Sequence, residues 1–172
     1  MIKRKIVLRI ILLILLLSLM ATIFVFSHQP ATVSGQVSGG LIYRFLNFIV
    51  SGFDSLTEAE KAQMVEDLQY IVRKGAHALC YSTMGALSMG LMSTFDFKKR
   101  VLPAVFAFLI SFLYSVSDEV HQLFIEGRSG QFSDVILDGC GAILGIVVVG
   151  FFIWIVRKRR QSRNIKEKVQ KT

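Results

Sequence analysis

Hydrophobic residues are concentrated in four long runs that are separated by polar segments. The runs cover residues 6–26, 76–97, 101–120 and 135–156. A helix needs about 20 apolar residues to cross the roughly 30 Å hydrocarbon core of a bilayer, and lipid cannot satisfy the hydrogen-bonding groups of the backbone. The pattern therefore predicts an all-α polytopic membrane protein with four transmembrane helices.

The first run follows Lys3, Arg4 and Lys5, an arrangement that secretory signal peptides share. Its apolar core is longer than the usual core of about 7–15 residues. The SHQP sequence after Phe26 is also a poor match to the A-x-A-like pattern of small residues at a cleavage site. We therefore expect this run to be retained as a membrane helix.

The longest polar connection, residues 27–75, is predicted to combine a loop with two short helices. The Ser- and Gly-rich sequence SHQPATVSGQVSGG at 27–40 indicates a loop. The next ten residues, LIYRFLNFIV, have the amphipathic pattern of a helix that lies in the membrane interface. A second helix is predicted to follow Thr57, which can form a capping box with Glu60, and to continue into the second span.

Basic residues predict which ends of the spans face the cytoplasm. Residues 1–9, 96–100 and 157–172 contain 15 of the 20 Lys and Arg but only two of the 12 acids. By the positive-inside rule, we expect a multi-pass membrane protein with both termini cytoplasmic. The net charge of +8 then indicates contact with anionic membrane lipid rather than with nucleic acid. Residues 1–156 are expected to form one transmembrane domain, and residues 157–172 a basic cytoplasmic tail.

Small residues within the spans favour close helix packing. Gly141 and Gly145 form a small-xxx-small pair in the fourth span, and we expect it to act within one chain rather than in a dimer. Cys80 and Cys140 both fall inside predicted spans, so a disulfide framework is not indicated. The short connection EGRSGQ at 126–131 makes spans three and four antiparallel neighbours.

Ionisable residues gather at the outer ends of spans two, three and four. Counting about 20 residues from the inner end of each span brings four of them to the outer edge of the hydrocarbon: His77, Asp118, Glu119 and Asp138. Five more lie just above that edge: Arg73, Lys74, His121, Arg128 and Asp134. A charge in the apolar zone costs about 2.5–3.5 kcal/mol on insertion scales, so these side chains should face the interior of the bundle.

These counts predict a polar cup that opens outward and is lined by the second, third and fourth spans. A purely structural alternative is that opposite charges only pair and lock the bundle. Arg128 with Asp134, and Arg73 with Glu119, would be such pairs.

Three blocks of the chain resemble the VanZ-like family of bacterial membrane proteins. They are FSHQPATVSGQVSGG at 26–40, RKGAHALCYSTMGAL at 73–87 and SDEVHQLFIEGRSGQFSDVILDGCGAILG at 117–145. The motif positions of the family match Arg73, Lys74, His77, Tyr81, Ser117, Asp118, Glu119, Gln122, Arg128 and Asp134. Asp138 stands where the resemblance leads us to expect Asn. We expect these eleven residues to bind a ligand, because ionisable groups at the edge of the membrane are candidates for functional sites. The resemblance implies a role at the cell envelope and a link to resistance to the antibiotic teicoplanin, but it supplies no established reaction.

Two functions are compatible with this residue set. The first is a binding or envelope-modulating protein whose cup holds the headgroup of a membrane lipid or of a lipid-linked cell-wall precursor. Arg73, Lys74 and Arg128 would then contact phosphate or carboxylate. The second is a membrane hydrolase or transferase that acts on a lipid-linked or phosphorylated envelope substrate. Its candidate catalytic residues are His77, Asp118, Glu119 and His121.

Established catalytic motifs are absent from the sequence, which contains no HExxH, P-loop or GxSxG pattern. Several residues have the chemistry of metal ligands, namely His77, Asp118, Glu119, His121 and Asp134, but their spacing is not diagnostic. We expect neither a metal nor another cofactor. A transporter is disfavoured, because four spans without paired interrupted helices leave little room for an alternating pathway.

Overall fold

Helices account for all of the regular structure in the described part of the chain. The computed structural model describes residues 2–169, except for the side chains of residues 2, 31, 33, 34, 37 and 164–169. The elements are α1 (Ile2–Ser27), α2 (Ala31–Ile49), a 3₁₀ helix (Phe53–Ser55), α3 (Glu58–Met92), α4 (Leu102–Gln122) and α5 (Phe132–Val169). The predicted all-α class is confirmed.

Three of these helices are long and apolar enough to cross a membrane. They are Lys3–Ser27 in α1, Leu102–Gln122 in α4 and Phe132–Arg163 in α5, which correspond to the first, third and fourth predicted runs. The second predicted run is the C-terminal part of α3. That helix ends at Met92, five residues before the run does, and it is not among the three. A fourth span therefore stays a prediction.

The central position of α3 explains why its sequence is less apolar. The helix packs against α1, α4 and α5, and Tyr81, Met84 and Ser88 in its C-terminal half are completely buried. A helix that is covered by other helices can carry small and polar residues, because most of its side chains contact protein. Low hydropathy is the expected property of a helix in this position.

Glycines bring the backbones of α3 and α5 into direct contact. A Cβ atom on Gly141 would lie 2.5 Å from the carbonyl oxygen of Ala78, and a Cβ on Gly145 would overlap the carbonyl of Ser82. Gly85 has the same relation to Ala142 from the side of α3. The predicted close packing of Gly141 and Gly145 within one chain is confirmed.

The outer segment contains more helix than its sequence indicates. The prediction of a loop over residues 27–40 is wrong, because Ala31–Ile49 forms a single helix. This helix lies on the N-terminal half of α3, where the side chain of Gln69 donates a hydrogen bond to the carbonyl of Gly35 (2.9 Å). Ile42 and Leu46 are buried together with Phe53 against α3. Tertiary packing thus stabilises a helix that its Ser and Gly content disfavours.

The start of α3 agrees with its sequence signal. The hydroxyl of Thr57 accepts a hydrogen bond from the backbone N–H of Glu60 (3.3 Å), and the carboxylate of Glu60 accepts one from the N–H of Thr57 (2.8 Å). This is the predicted capping box. The helix then runs without a break into the interior of the bundle, as predicted.

The three basic segments lie at the same end of the bundle. Lys5 pairs with Asp96 (3.5 Å), and the side chain of Arg9 donates to the carbonyl of Thr94 (2.7 Å). Arg100 and Arg157 border one cleft at this end. The beginning of the predicted tail is a direct continuation of α5. This end is called the basic end below, and the opposite end is called the outer end.

Candidate functional site

The predicted convergence of charged residues occurs at the outer end of the bundle. Lys74 forms an ion pair with Asp134, and Nδ1 of His77 lies 3.8 Å from Oδ2 of Asp138. These two pairs join α3 to the start of α5. They differ from the pairs that the structural alternative suggested, since Asp134 pairs with Lys74 rather than with Arg128.

Three carboxylates are buried behind these pairs. Asp118, Glu119 and Asp138 are 3%, 5% and 0% exposed. Oδ2 of Asp138 accepts a hydrogen bond from the hydroxyl of Ser115 (3.1 Å), and Oδ2 of Asp118 accepts one from Ser27 (3.0 Å). The Oδ1 atoms of both aspartates accept none from the described residues. Buried polar atoms normally have partners, so these two oxygens mark a region whose polar groups are not fully satisfied by the chain.

Glu119 holds the loop between α4 and α5. Its Oε2 atom accepts a hydrogen bond from the backbone N–H of Gln131 (2.8 Å). A Cβ atom on Gly130 would lie 2.5 Å from the carbonyl oxygen of Glu119, so the loop and the end of α4 are in close contact. Glu119 thereby positions the segment that carries Arg128.

Arg128 connects this loop to the end of α1. Its guanidinium donates hydrogen bonds to the carbonyls of Phe26 and Gln29, both at 2.9 Å. These carbonyls lie where a helix leaves its last acceptors unsatisfied. Burial lowers the pKa of Arg128, and the nearby charge of Arg73 lowers it further, but an arginine remains charged at neutral pH. The predicted cup therefore has a fourth wall, α1, which the sequence-based prediction left out.

Arg73 differs from the other two cations of the site. Its side chain is exposed and makes no ion pair or hydrogen bond with any residue in the described part of the chain. Two clefts meet at it. Lys74 and Arg128, in contrast, are both engaged by protein groups. Arg73 is thus the cation that is best placed to contact a ligand.

The two clefts share Arg73, His77 and Arg128. The outer cleft measures about 120 Å³ and is bordered by eight polar residues and one glycine: Arg73, Lys74, His77, Gln122, Gly127, Arg128, Ser129, Gln131 and Asp134. The side cleft measures about 310 Å³ and lies between α1 and α3. It is lined by Thr22, Ile23, Phe26, Ser27, Arg73, Ala76, His77, Cys80, Tyr81 and Arg128.

Two of the predicted site residues lie away from both clefts. Ser117 is exposed on α4, and its hydroxyl donates to the carbonyl of Tyr114 (2.7 Å). His121 stacks against Phe24, and its Nε2 atom is 3.2 Å from Nδ1 of His28. The remaining predicted residues either line a cleft or form the buried layer behind it.

Sequence reasoning missed the groups that complete this layer. Ser115 binds Asp138, and Ser27 binds Asp118. Ser27 belongs to one of the blocks that resemble the VanZ-like family. That position could have been used to predict that α1 also lines the cup. Ser115 lies one turn before Asp118 on α4, but a serine in an apolar helix is no signal by itself. No group of three or more His, Cys, Asp or Glu side chains within the described residues is arranged to hold a metal ion.

A family of known proteins matches the part of the chain that forms this site. The family model described as VanZ/LLP1 matches residues 12–155, which include every residue that lines the two clefts. No curated protein and no solved structure matches the chain. The match covers most of the chain and all four walls of the cup.

Proposed function

The chain belongs to the VanZ/LLP1 family, and from this premise we propose that it binds an anionic lipid headgroup at the surface of the bacterial cell. The ligand is a membrane lipid or a lipid-linked cell-wall precursor, held at Arg73 with its chain in the side cleft. With both termini in the cytoplasm, the outer end faces the cell wall, where glycopeptides act. In this role the protein contributes to tolerance of teicoplanin.

The shape and polarity of the side cleft are the observations that support this proposal. Its outer rim has two guanidinium groups, Arg73 and Arg128, whereas its walls include Ile23, Phe26 and Ala76. A volume of about 310 Å³ is at the lower end of the range for small-molecule sites. Phe26 and Ala76 are exposed on the side of the bundle. An amphiphile can therefore place its anionic group at the rim and its chain along the helices.

The rim offers strong binding to phosphate or carboxylate. Charge-assisted hydrogen bonds from a guanidinium are about twice as strong as neutral ones, and they are often bidentate. Arg128 already donates to two backbone carbonyls, so it supplies positive charge with a fixed position. No residue in the described part of the chain accepts a hydrogen bond from Arg73, so all of its N–H donors are available to the ligand.

The test is the pair of variants Arg73→Gln and Arg44→Gln, measured for abundance in the membrane and for teicoplanin tolerance on overexpression. Arg44 lies on α2, is exposed and borders neither cleft. We expect Arg73→Gln to lose tolerance and to bind a polyprenyl phosphate at least tenfold more weakly in detergent, with normal abundance. Arg44→Gln should behave as the native protein.

Loss of abundance in step with loss of tolerance would assign Arg73 a structural role and contradict the proposal. Equal behaviour of the two variants would contradict it as well, because Arg73 would then be no more than one of several outer charges. Removal of Lys74 is not suited to this purpose, since that residue is bound to Asp134.

A membrane enzyme that acts on a phosphorylated or lipid-linked substrate is the second candidate function. The observation that favours it is the proximity of His77 to the buried carboxylate of Asp138 beside the cationic rim. A carboxylate in this position can orient a histidine as a general base. Purified protein that releases phosphate or a transferred group from a polyprenyl phosphate or diphosphate, and loses this with His77→Ala, would establish the enzyme. Binding without turnover would favour the first candidate.

A further inference from the structure

A second cleft with cationic walls lies at the basic end, far from the cup. It measures about 270 Å³ and is lined by Met89, Ser93, Arg100, Pro103, Gly150, Ile153, Trp154, Arg157, Lys158 and Gln161. We call it the inner cleft. Its residues come from the end of α3, the following connection, the start of α4 and the middle of α5. We propose that the inner cleft binds the phosphodiester headgroup of an anionic phospholipid.

The charges of the inner cleft are uncompensated. None of Arg100, Arg157 and Lys158 forms an ion pair with a residue in the described part of the chain. Asp96 is the one acid with a described side chain at this end, and it pairs with Lys5. Three cations, one from the connection before α4 and two from α5, therefore border a space in which no described side chain supplies a negative charge. Such a site is complementary to a phosphodiester anion.

The rest of the lining favours a lipid as the source of that anion. Met89, Pro103 and Ile153 supply apolar surface next to the cations. Trp154 is 52% exposed, and Nζ of Lys158 lies 5.0 Å from the centre of its ring. Tryptophan and lysine at the end of an apolar run are typical of the membrane interface, where a headgroup meets the acyl chains. Basic pockets between helices at this depth are known to take anionic headgroups.

The helical spacing of α5 places the key residues on one face. Trp154, Arg157, Lys158 and Gln161 are three or four residues apart, so their side chains are neighbours on the helix surface. Arg159, Arg160 and Arg163 are equally exposed on the same helix but do not line the cleft. The chain thus provides a control with the same charge at the same end of the bundle.

Trp154 is the only tryptophan of the chain, which makes its fluorescence a direct probe of the inner cleft. The full chain is reconstituted in phosphatidylcholine vesicles that contain a small share of phosphatidylglycerol with brominated chains. Bromine quenches only a nearby indole. We expect brominated phosphatidylglycerol to quench Trp154 more than brominated phosphatidylcholine does at the same mole fraction. The brominated phosphatidylcholine series also shows whether each variant is inserted normally.

The triple variant Arg100→Gln, Arg157→Gln, Lys158→Gln should lose this preference, with a fall of about tenfold or more in relative affinity. Each cation near an anionic surface is worth about fivefold. The triple variant Arg159→Gln, Arg160→Gln, Arg163→Gln should retain most of it. Retention of the preference in the first variant, or equal loss in both, would overturn the proposal. Displacement of the lipid by inorganic phosphate at constant ionic strength would also overturn it, in favour of a site for free phosphate.

Discussion

Replacement of Gly141 by alanine should destabilise the protein, whereas the same replacement at Gly139 should stabilise it. A methyl group on Gly141 would lie 2.5 Å from the carbonyl oxygen of Ala78 on α3, and real Cβ atoms essentially never approach closer than 3.0 Å. The two backbones must therefore separate by about 0.5 Å or more. At Gly139 the nearest atom beyond the helix is a ring carbon of Phe112 at 3.8 Å, which is ordinary contact.

Both substitutions gain stability from reduced backbone freedom in the unfolded chain, but only Gly141→Ala loses stability through overpacking. Alanine in place of glycine within a helix gains about 0.5–1 kcal/mol, because it loses less backbone freedom on folding. Overpacking of a close contact costs about 1–3 kcal/mol. The free energy of unfolding should therefore rise by about 0.5–1 kcal/mol for Gly139→Ala and fall by up to about 2.5 kcal/mol for Gly141→Ala.

Thermal unfolding in detergent, followed by circular dichroism, measures the difference. In a chain of this length, 1 kcal/mol shifts the melting temperature by about 2–4 °C. The melting temperature should rise for Gly139→Ala and fall for Gly141→Ala, relative to the native chain. A shift in the same direction for both variants would refute direct contact between the backbones of α3 and α5 at Gly141.

Two further predictions concern the ion pair of the cup and the topology. Lys74→Asp or Asp134→Lys alone should lower membrane abundance and stability, since each leaves a half-buried like-charge pair. The loss should be smaller than the roughly 3–5 kcal/mol of breaking a fully buried pair. The double exchange should restore much of the loss in a cycle of membrane abundance measurements, and a double variant no better than the singles would contradict this. The topology can be tested in a version of the protein without native cysteines. A cysteine at Gly52 should react with an impermeant maleimide in intact cells, whereas one at Lys98 should react only after permeabilisation. The reverse pattern would contradict the orientation that the basic residues predict.

Hydropathy and local signals in the sequence were sufficient to predict most of the helices. Runs of about 20 apolar residues coincide with α1, α4 and α5, because a helix is the structure that satisfies the backbone of such a run in lipid. The start of α3 was predictable from the capping box of Thr57 and Glu60, which is a local interaction. The distribution of basic residues also indicated which segments share one end of the bundle.

Part of the candidate site was predictable for the same reason. The depth of His77, Asp118 and Asp138 follows from residue counts along straight helices, and the three do lie at the same end of the bundle. Glu119 was also placed there, but its role in holding the loop through Gln131 depends on how that loop folds back. Counting gives the depth of a residue and not its partner.

Tertiary structure alone decided which faces and partners the helices present. Sequence spacing sets the angle between two residues on one helix, but the rotation of that helix depends on its neighbours. Ser117 is therefore exposed, although the next two residues are buried. Ala31–Ile49 is a helix because its small residues pack on α3. Arg128 binds the carbonyls at the end of α1, about 100 positions away in the chain, because only the packed bundle brings them within its reach.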